Sequence, residues 1–153
     1  MSYRPIASVD WLVIHCSATS PSMDIGVEEV RQWHLERGWA DVGYHFVIRR
    51  NGNIERGRDE DRPGAHAGAA INKISLGICL IGGSSEENIK IAENNFTDEQ
   101  WATLAELIAA LEEAYPNGKV IGHRDIKPSK ACPSFDVDDW YQCAFGRDQS
   151  HKE

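Results

Sequence analysis

The sequence predicts an α/β protein of the mixed α+β kind, a single domain with a central mixed β-sheet of about five strands flanked by helices. Short apolar runs rich in β-branched residues alternate with longer segments whose apolar residues recur every three or four positions. These segments follow the order β-α-β-β-β-α-β-α, which suits one sheet with helices on its faces. A chain of 153 residues, 41% of them hydrophobic, is large enough for one hydrophobic core.

The first predicted strand covers residues 11–18, an apolar run that ends in small polar residues. Side chains alternate along a strand, so His15 shares a face with Val13, whereas Cys16 points the other way with Ile14. His15 stands near the carboxyl end of this strand and is a candidate metal ligand. Cys16 is predicted to be a small core residue, since free cysteine is among the most buried residue types.

The first predicted helix covers residues 27–37 and is closed by Gly38, a typical left-handed residue after a helix. Val27, Val30 and His34 fall on one stripe of this helix. A histidine on such a stripe could be catalytic. The better interpretation is a core-facing His34 whose hydrogen bond is satisfied inside the protein.

Asn51-Gly52 is a strong hairpin signal and follows a predicted strand over residues 42–48. Strand alternation places Tyr44 on the same face as Phe46 and opposite His45.

A loop of small residues follows at positions 62–70, with His66 as the large polar side chain at its centre. Loops held by a rigid scaffold carry much of protein function, so His66 is a candidate substrate-binding residue. A merely solvated His66 explains the pattern equally well.

The second half of the chain predicts two further strands and two helices. Residues 74–81 and 119–122 form the strands, and the second of these delivers His123 at its end. Between them a helix begins at Thr97, where Thr97 and Gln100 fit a capping box, and ends before Pro116. A closing helix starts near Asp136, and the polar tail from residue 146 is expected to fray.

Residues 122–136 carry a histidine, a lysine and a cysteine in a segment too broken by proline to form one helix. Imidazole nitrogen and thiolate sulfur are preferred zinc ligands, and three protein ligands leave a fourth position for a reactive water. His123 and Cys132 supply two ligands, and His15 is the candidate third. The spacing matches no standard zinc finger, so scattered histidines and a buried cysteine remain an equal alternative on this pattern alone.

Composition excludes several classes of protein. A net charge of −8 without basic runs argues against binding to nucleic acid or to anionic lipid. No stretch is long enough to insert into a membrane, and the first ten residues carry no secretory signal. The four cysteines are therefore expected to be reduced thiols of a protein made in the cytoplasm.

Seven pieces of the sequence share one family resemblance: HCSAT at 15–19, RQWH at 31–34, GW at 38–39, DVGYHF at 41–46, GRDE at 57–60, NFT at 95–97 and KACPSFD at 130–136. In this order they resemble the zinc-dependent N-acetylmuramoyl-L-alanine amidases of the amidase-2 and peptidoglycan-recognition superfamily. The T-seven-type phage lysozymes are the most similar branch. The pieces run from about residue 9 to residue 140, nearly the whole chain.

The resemblance implies a Zn²⁺ ion at the bottom of a surface groove, held by His15, His123 and Cys132. It implies Tyr44 and Lys130 as catalytic side chains, which would stabilise the oxyanion or assist proton transfer. The segment between His123 and Cys132 is one residue longer than in the phage lysozymes, yet Lys130 still stands two residues before Cys132. No HExxH motif supplies a general base.

The resemblance also implies a domain plan and a biological role. Residues 1–8 form an N-terminal segment, 9–145 the catalytic domain and 146–153 a polar tail. The expected protein is a monomeric phage-type endolysin that cleaves peptidoglycan and stays in the host cytoplasm until its release to the cell wall.

Two other classes of function remain open. A binding module without activity would typically lack the cysteine ligand, so Cys132 argues against it. A protein-binding regulator is the other, because T-seven-type lysozymes also inhibit their phage RNA polymerase through a surface that no motif defines.

Overall fold

The computed structural model describes residues 8–150 and 152, which form one five-stranded sheet with helices on both faces. None of the helices among these residues is long and apolar enough to cross a membrane. The elements in chain order are β1 Trp11–Cys16, α1 Val27–Glu36, β2 Phe46–Ile48, β3 Ile54–Arg56, α2 Ala69–Asn72, β4 Ser75–Leu80, α3 Asp98–Ala114, β5 Lys119–Gly122, α4 His123–Ile126 and α5 Val137–Phe145. The two short helices, α2 and α4, lie in segments predicted to be irregular.

The sheet is mixed, as predicted, with the strand order β3-β2-β4-β1-β5. β1 runs parallel to β4 and β5, β2 runs parallel to β4, and only β3 is antiparallel to its neighbour. Parallel strands end at the same edge of a sheet. Ile14 of β1 pairs with Gly122 of β5, so the residues that follow them, His15 and His123, emerge side by side.

Each face of the sheet has its own apolar layer. One face packs against α3 and α5, and its layer includes Leu12, Ile14 and Cys16 of β1. The other face packs against Val27 and Val30 of α1. Cys16 therefore lies on the core face with Ile14, as strand alternation predicted.

The amino end of α3 confirms the predicted capping box. The Gln100 N–H donates to Thr97 Oγ1 at 3.0 Å, and the Thr97 N–H donates to Gln100 Oε1 at 2.9 Å. The Gln100 amide is fully buried and also donates to the carbonyls of Ile48 and Ile81. The cap thus ties α3 to the ends of β2 and β4.

The hairpin forms at Asn51-Gly52, where Gly52 adopts a φ of 89°, but its strands are only three residues long. Tyr44 precedes β2 and packs with the layer that contains Val42 and Val47. Phe46 belongs to the opposite layer, so the prediction that Tyr44 shares its face is wrong. Alternation holds only inside a strand, and here the strand begins at Phe46.

The prediction of a frayed tail is wrong for the described residues after α5. The Val120 N–H donates to Gln149 Oε1 at 2.7 Å, and Gln149 Nε2 donates to the Val120 carbonyl at 2.8 Å. The Lys152 ammonium is buried and lies 2.6 Å from Glu112. β5 is an edge strand, and its open backbone groups give the Gln149 amide two partners. The predicted domain boundaries after residues 8 and 145 stay a prediction.

Candidate active site

A groove of about 860 Å³ lies at the edge where the parallel strands end. Its floor contains His15, His123 and Cys132, and one wall carries Tyr44 and His34. No carboxylate lines the groove among the residues that the structure describes. Four basic side chains line it instead, although the whole chain carries a net charge of −8. They are Arg37, Lys90, Lys127 and Lys130.

The three predicted ligands come together on the floor of the groove. Ligand atoms of His15, His123 and Cys132 all lie within 4.8 Å of one another. The distance from His15 Nδ1 to Cys132 Sγ is 3.8 Å. A tetrahedral zinc ion with ordinary bond lengths would separate such a nitrogen and sulfur by roughly 3.6 Å. The donor set and its spacing therefore fit zinc, and the ligand roles themselves stay a prediction.

Different elements position the three side chains. His15 is the fifth residue of β1, and His123 is the first residue of α4, directly after β5. Cys132 belongs to an irregular segment that is held by backbone hydrogen bonds. The Cys16 N–H donates to Cys132 Sγ at 3.2 Å, and the Arg124 N–H donates to the Cys132 carbonyl at 2.9 Å.

The two imidazoles are in the form that binds a metal. Burial, followed by the neighbouring His66 and His123, holds the pKa of His15 well below its usual value. Burial lowers the pKa of His123 as well, with smaller contributions from Lys130 and Lys127. A neutral imidazole keeps a free lone pair, which metal coordination requires.

Cys16 contacts the candidate ligand Cys132, a contact that sequence reasoning missed. Its hydrogen bond with the Cys132 thiol lowers the pKa of Cys16, and the same contact together with burial raises the pKa of Cys132, so Cys132 retains its proton. A cation bound by Cys132 would displace that proton. The strand-end position of Cys16 was the available signal, since a side chain there reaches the edge at which the ligands meet.

Tyr44 and Lys130, the predicted catalytic residues, both line the groove. The rings of Tyr44 and His15 are 5.1 Å apart. Burial, followed by the neighbouring thiols of Cys79, Cys132 and Cys16, raises the pKa of the Tyr44 phenol well above its usual value. The phenol therefore stays a hydrogen-bond donor. Lys130 is exposed, on the segment that also carries Cys132.

His34 is buried, and its Nδ1 accepts a hydrogen bond from the Gly43 N–H at 2.8 Å. This confirms the interpretation of a satisfied core-facing histidine. Its ring also packs against Trp39 and Tyr44 and reaches the wall of the groove. Burial, followed by Arg37 and Arg58, lowers the pKa of His34 to about 4.

His66 lines the groove but is only 8% exposed. Its Nδ1 lies 2.8 Å from His15 Nε2, and its Nε2 lies 3.2 Å from Ser75 Oγ. Both ring nitrogens are therefore engaged inside the protein, directly behind a candidate ligand. A substrate-binding role for His66 stays a prediction.

Comparisons with known proteins show the family of this chain. The family model described as N-acetylmuramoyl-L-alanine amidase matches residues 4–135. The endolysin of Enterobacteria phage K11 is 48% identical over 127 residues, which cover 83% of this chain and 82% of that protein. The endolysin of Escherichia phage T7 is 44% identical over 142 residues, with 93% and 91% covered.

The fold also matches solved structures. The N-acetylmuramoyl-L-alanine amidase LysC from Clostridium intestinale superposes with a TM-score of 0.75 and covers 95% of each chain. Its sequence is 24% identical, so this likeness concerns the fold alone.

Proposed function

The chain belongs to the N-acetylmuramoyl-L-alanine amidase family and is an endolysin-type amidase of peptidoglycan, and we propose that His15, His123 and Cys132 hold its catalytic zinc ion. The bond cleaved joins N-acetylmuramic acid to the L-alanine of the stem peptide. The observation that carries the proposal is the meeting of two imidazoles and one thiol within 4.8 Å on the floor of a groove.

Zinc bound at this site would lower the pKa of a bound water molecule to about 7 and would polarise the scissile carbonyl. The chain supplies the remaining chemistry. The Tyr44 phenol is protonated and 5.1 Å, ring to ring, from His15, so it can donate to the carbonyl oxygen as negative charge develops there. Donors of this kind contribute about 2.7–4 kcal/mol each to transition-state stabilisation.

Proton transfer needs a group other than a carboxylate, because none of the described residues that line the groove is acidic. The leaving amine of L-alanine must gain a proton. The Lys130 ammonium lines the groove close to His123 and is the cationic donor that we assign to this step.

The charge of the groove supports the same substrate. Stem peptides of peptidoglycan carry free carboxylates, and the groove presents Arg37, Lys90 and Lys127 in addition to Lys130. A local concentration of positive charge attracts an anionic substrate even when the whole protein is negative.

The decisive experiment is digestion of purified peptidoglycan, followed by analysis of the new chain ends. An amidase releases the free amino group of L-alanine and creates no new reducing sugar ends. The Cys132→Ala variant, measured in parallel, should release no amino groups. New reducing ends, or amino groups of another residue, would refute the assignment. Zinc content of the same samples should be one ion per parent molecule.

The remaining expectations rest on the resemblance. A monomer, accumulation in the host cytoplasm before release to the cell wall, and binding of a phage RNA polymerase are proposals of this kind. Size-exclusion chromatography with light scattering tests the first. A pull-down with the purified phage polymerase tests the last, and the binding must be compared between the parent and the inactive Cys132→Ala variant.

A further inference from the structure

A chain of three hydrogen bonds lies behind the candidate ligand His15. His15 Nε2 lies 2.8 Å from His66 Nδ1, and His66 Nε2 lies 3.2 Å from Ser75 Oγ. The Ser75 hydroxyl donates to the Ile71 carbonyl at 2.7 Å. His15, His66 and Ser75 are all buried, at 1%, 8% and 0% exposure, so water does not compete for these bonds.

The direction of every bond follows from its far end. The Ile71 carbonyl can only accept, so the Ser75 proton points toward it and Ser75 Oγ accepts from His66 Nε2–H. The ring is buried and neither of its hydrogen-bond partners, His15 and Ser75, is a carboxylate that could neutralise a positive charge, so His66 is neutral and its Nδ1 is unprotonated. That nitrogen accepts from His15 Nε2–H. A neutral His15 then has its lone pair on Nδ1, the atom 3.8 Å from Cys132 Sγ.

The position of the His66 ring is built into the backbone around it. A Cβ atom on Gly77 would lie 2.8 Å from His66 Cγ, and one on Gly64 would lie 2.6 Å from His66 Cδ2. Both glycines thus leave room for the imidazole. Asn72 Oδ1 accepts from the N–H groups of His66 and Ala67 at 3.1 and 2.9 Å, which fixes the loop that carries the ring.

The nearby His45, which does not line the groove, shows what a purely structural histidine looks like. It is 1% exposed, and both of its ring nitrogens bond to backbone groups, the Gly77 N–H and the Arg62 carbonyl. Its bonds reach no candidate ligand. His66 differs because its Nδ1 bond ends on His15, so the two histidines form a matched pair for comparison.

We propose that His66, backed by Ser75, is a positioning residue that keeps His15 in its Nε2–H tautomer and aims its Nδ1 at the metal. The inference rests on the proposed zinc site. A second hydrogen bond to a metal-bound imidazole fixes the ring and its tautomer, and loss of such a partner typically weakens metal binding by about 10–100-fold.

The test compares zinc dissociation constants, measured by competition with a chromophoric chelator, in His66→Phe, His66→Asn and His45→Phe. Phe keeps the ring shape without an acceptor, whereas the Asn carboxamide oxygen can stand where Nδ1 stands. We expect His66→Phe to bind zinc roughly 10–100-fold more weakly, His66→Asn to recover most of the loss, and His45→Phe to lose stability while it keeps its affinity. Equal affinity in the parent and His66→Phe would overturn the proposal.

A second measurement needs no variant. Nitrogen-15 NMR of the metal-free parent reports the tautomer of each histidine, and we expect the proton of His15 on Nε2 and that of His66 on Nε2. A proton on His15 Nδ1 would refute the proposal even if His66→Phe failed to fold. The two proposals fail separately, because a parent that binds no zinc refutes the metal site, whereas a zinc-binding parent matched by His66→Phe refutes only the role of His66.

Discussion

The two sides of the candidate metal site are built in different ways. The His15 side is a β-strand with a buried second layer, in which His66 and Ser75 lie behind the ligand. The Cys132 side is an irregular segment whose backbone-to-backbone hydrogen bonds are local, such as the Lys130 N–H to the Lys127 carbonyl. Residues 128–131 of this segment are exposed, whereas His15 is 1% exposed.

The two sides differ in what holds their ligands in place. A ligand on a central strand keeps its position with or without a metal, because the sheet and the core hold it. The exposed segment brings the thiol and Lys130 to the groove, and few packed side chains hold it there. Zinc would therefore stabilise the Cys132 side far more than the His15 side.

Removal of the metal gives the largest expected effect. Chelation should abolish amidase activity, and hydrogen exchange should accelerate at the amides of residues 124–134 while those of β1 stay protected, because only the first group depends on the metal for order. Mass-spectrometric hydrogen exchange with and without zinc measures both. Equal acceleration of exchange in β1 would show that both sides of the site depend equally on the metal, which would contradict the proposed difference between them.

Removal of the catalytic side chains should have the next largest effect. Tyr44→Phe and Lys130→Ala should each lower turnover roughly a hundredfold while zinc content and thermal unfolding stay at parent values, since neither side chain is a metal ligand. Lys127→Ala is the comparison, because Lys127 is assigned to attraction of the anionic substrate and not to proton transfer, so its loss should raise KM and leave turnover near the parent value. A Lys130→Ala variant that cleaves at the parent rate would show that the longer segment carries this lysine away from the substrate.

Loss of the Gln149 side chain should cost stability rather than chemistry. Gln149→Ala removes the two hydrogen bonds to Val120 of β5 and should lower the free energy of unfolding by about 1–3 kcal/mol. Denaturant titration measures the change. Gln142→Ala, at an exposed position of α5, serves as the control. A Gln149→Ala variant as stable as the control would mean that the tail contributes nothing to the strand that leads to His123.

The pH dependence of stability should change by a smaller amount in a His34 variant. The pKa of His34 is about 4 in the folded protein, compared with 6.5 for an ordinary histidine. The stability that neutral His34 contributes to the fold is therefore complete above pH 6.5 and is lost as the pH falls toward 4. His34→Asn removes the titration but keeps an acceptor for the Gly43 N–H. Its stability should fall less steeply than that of the parent over this interval, and parallel curves would contradict the assignment.

The smallest effect is expected at the cysteines away from the groove. All four cysteines are free thiols; Cys79 is buried on the α1 face of the sheet and Cys143 is exposed on α5. Cys143→Ser should leave activity, zinc content and unfolding unchanged. Cys79→Ala removes a thiol beside the Tyr44 phenol and should lose stability while it keeps its zinc content. Zinc loss in either variant would contradict a site that uses only Cys132 among the thiols.

Sequence patterns predicted the parts of the site that depend on local rules. Strand ends located His15 and His123, and the capping box located the start of α3. Contacts between distant segments were not predictable in this way, because they depend on strand register and on how the loops cross. The His66–Ser75 bond and the docking of Gln149 on β5 are of this kind. Tyr44 was placed on the wrong face because the strand begins at Phe46, four residues later than predicted.

The Gln149 side chain has a consequence for solubility. An uncovered edge strand invites the same strand of another molecule to pair with it, and this is a common start of aggregation. The carboxamide of Gln149 occupies the backbone groups of Val120 and so blocks that pairing at β5. A version of the chain shortened to residue 146 would keep every groove residue and still expose this edge, so it would precipitate at concentrations at which the full chain stays dissolved.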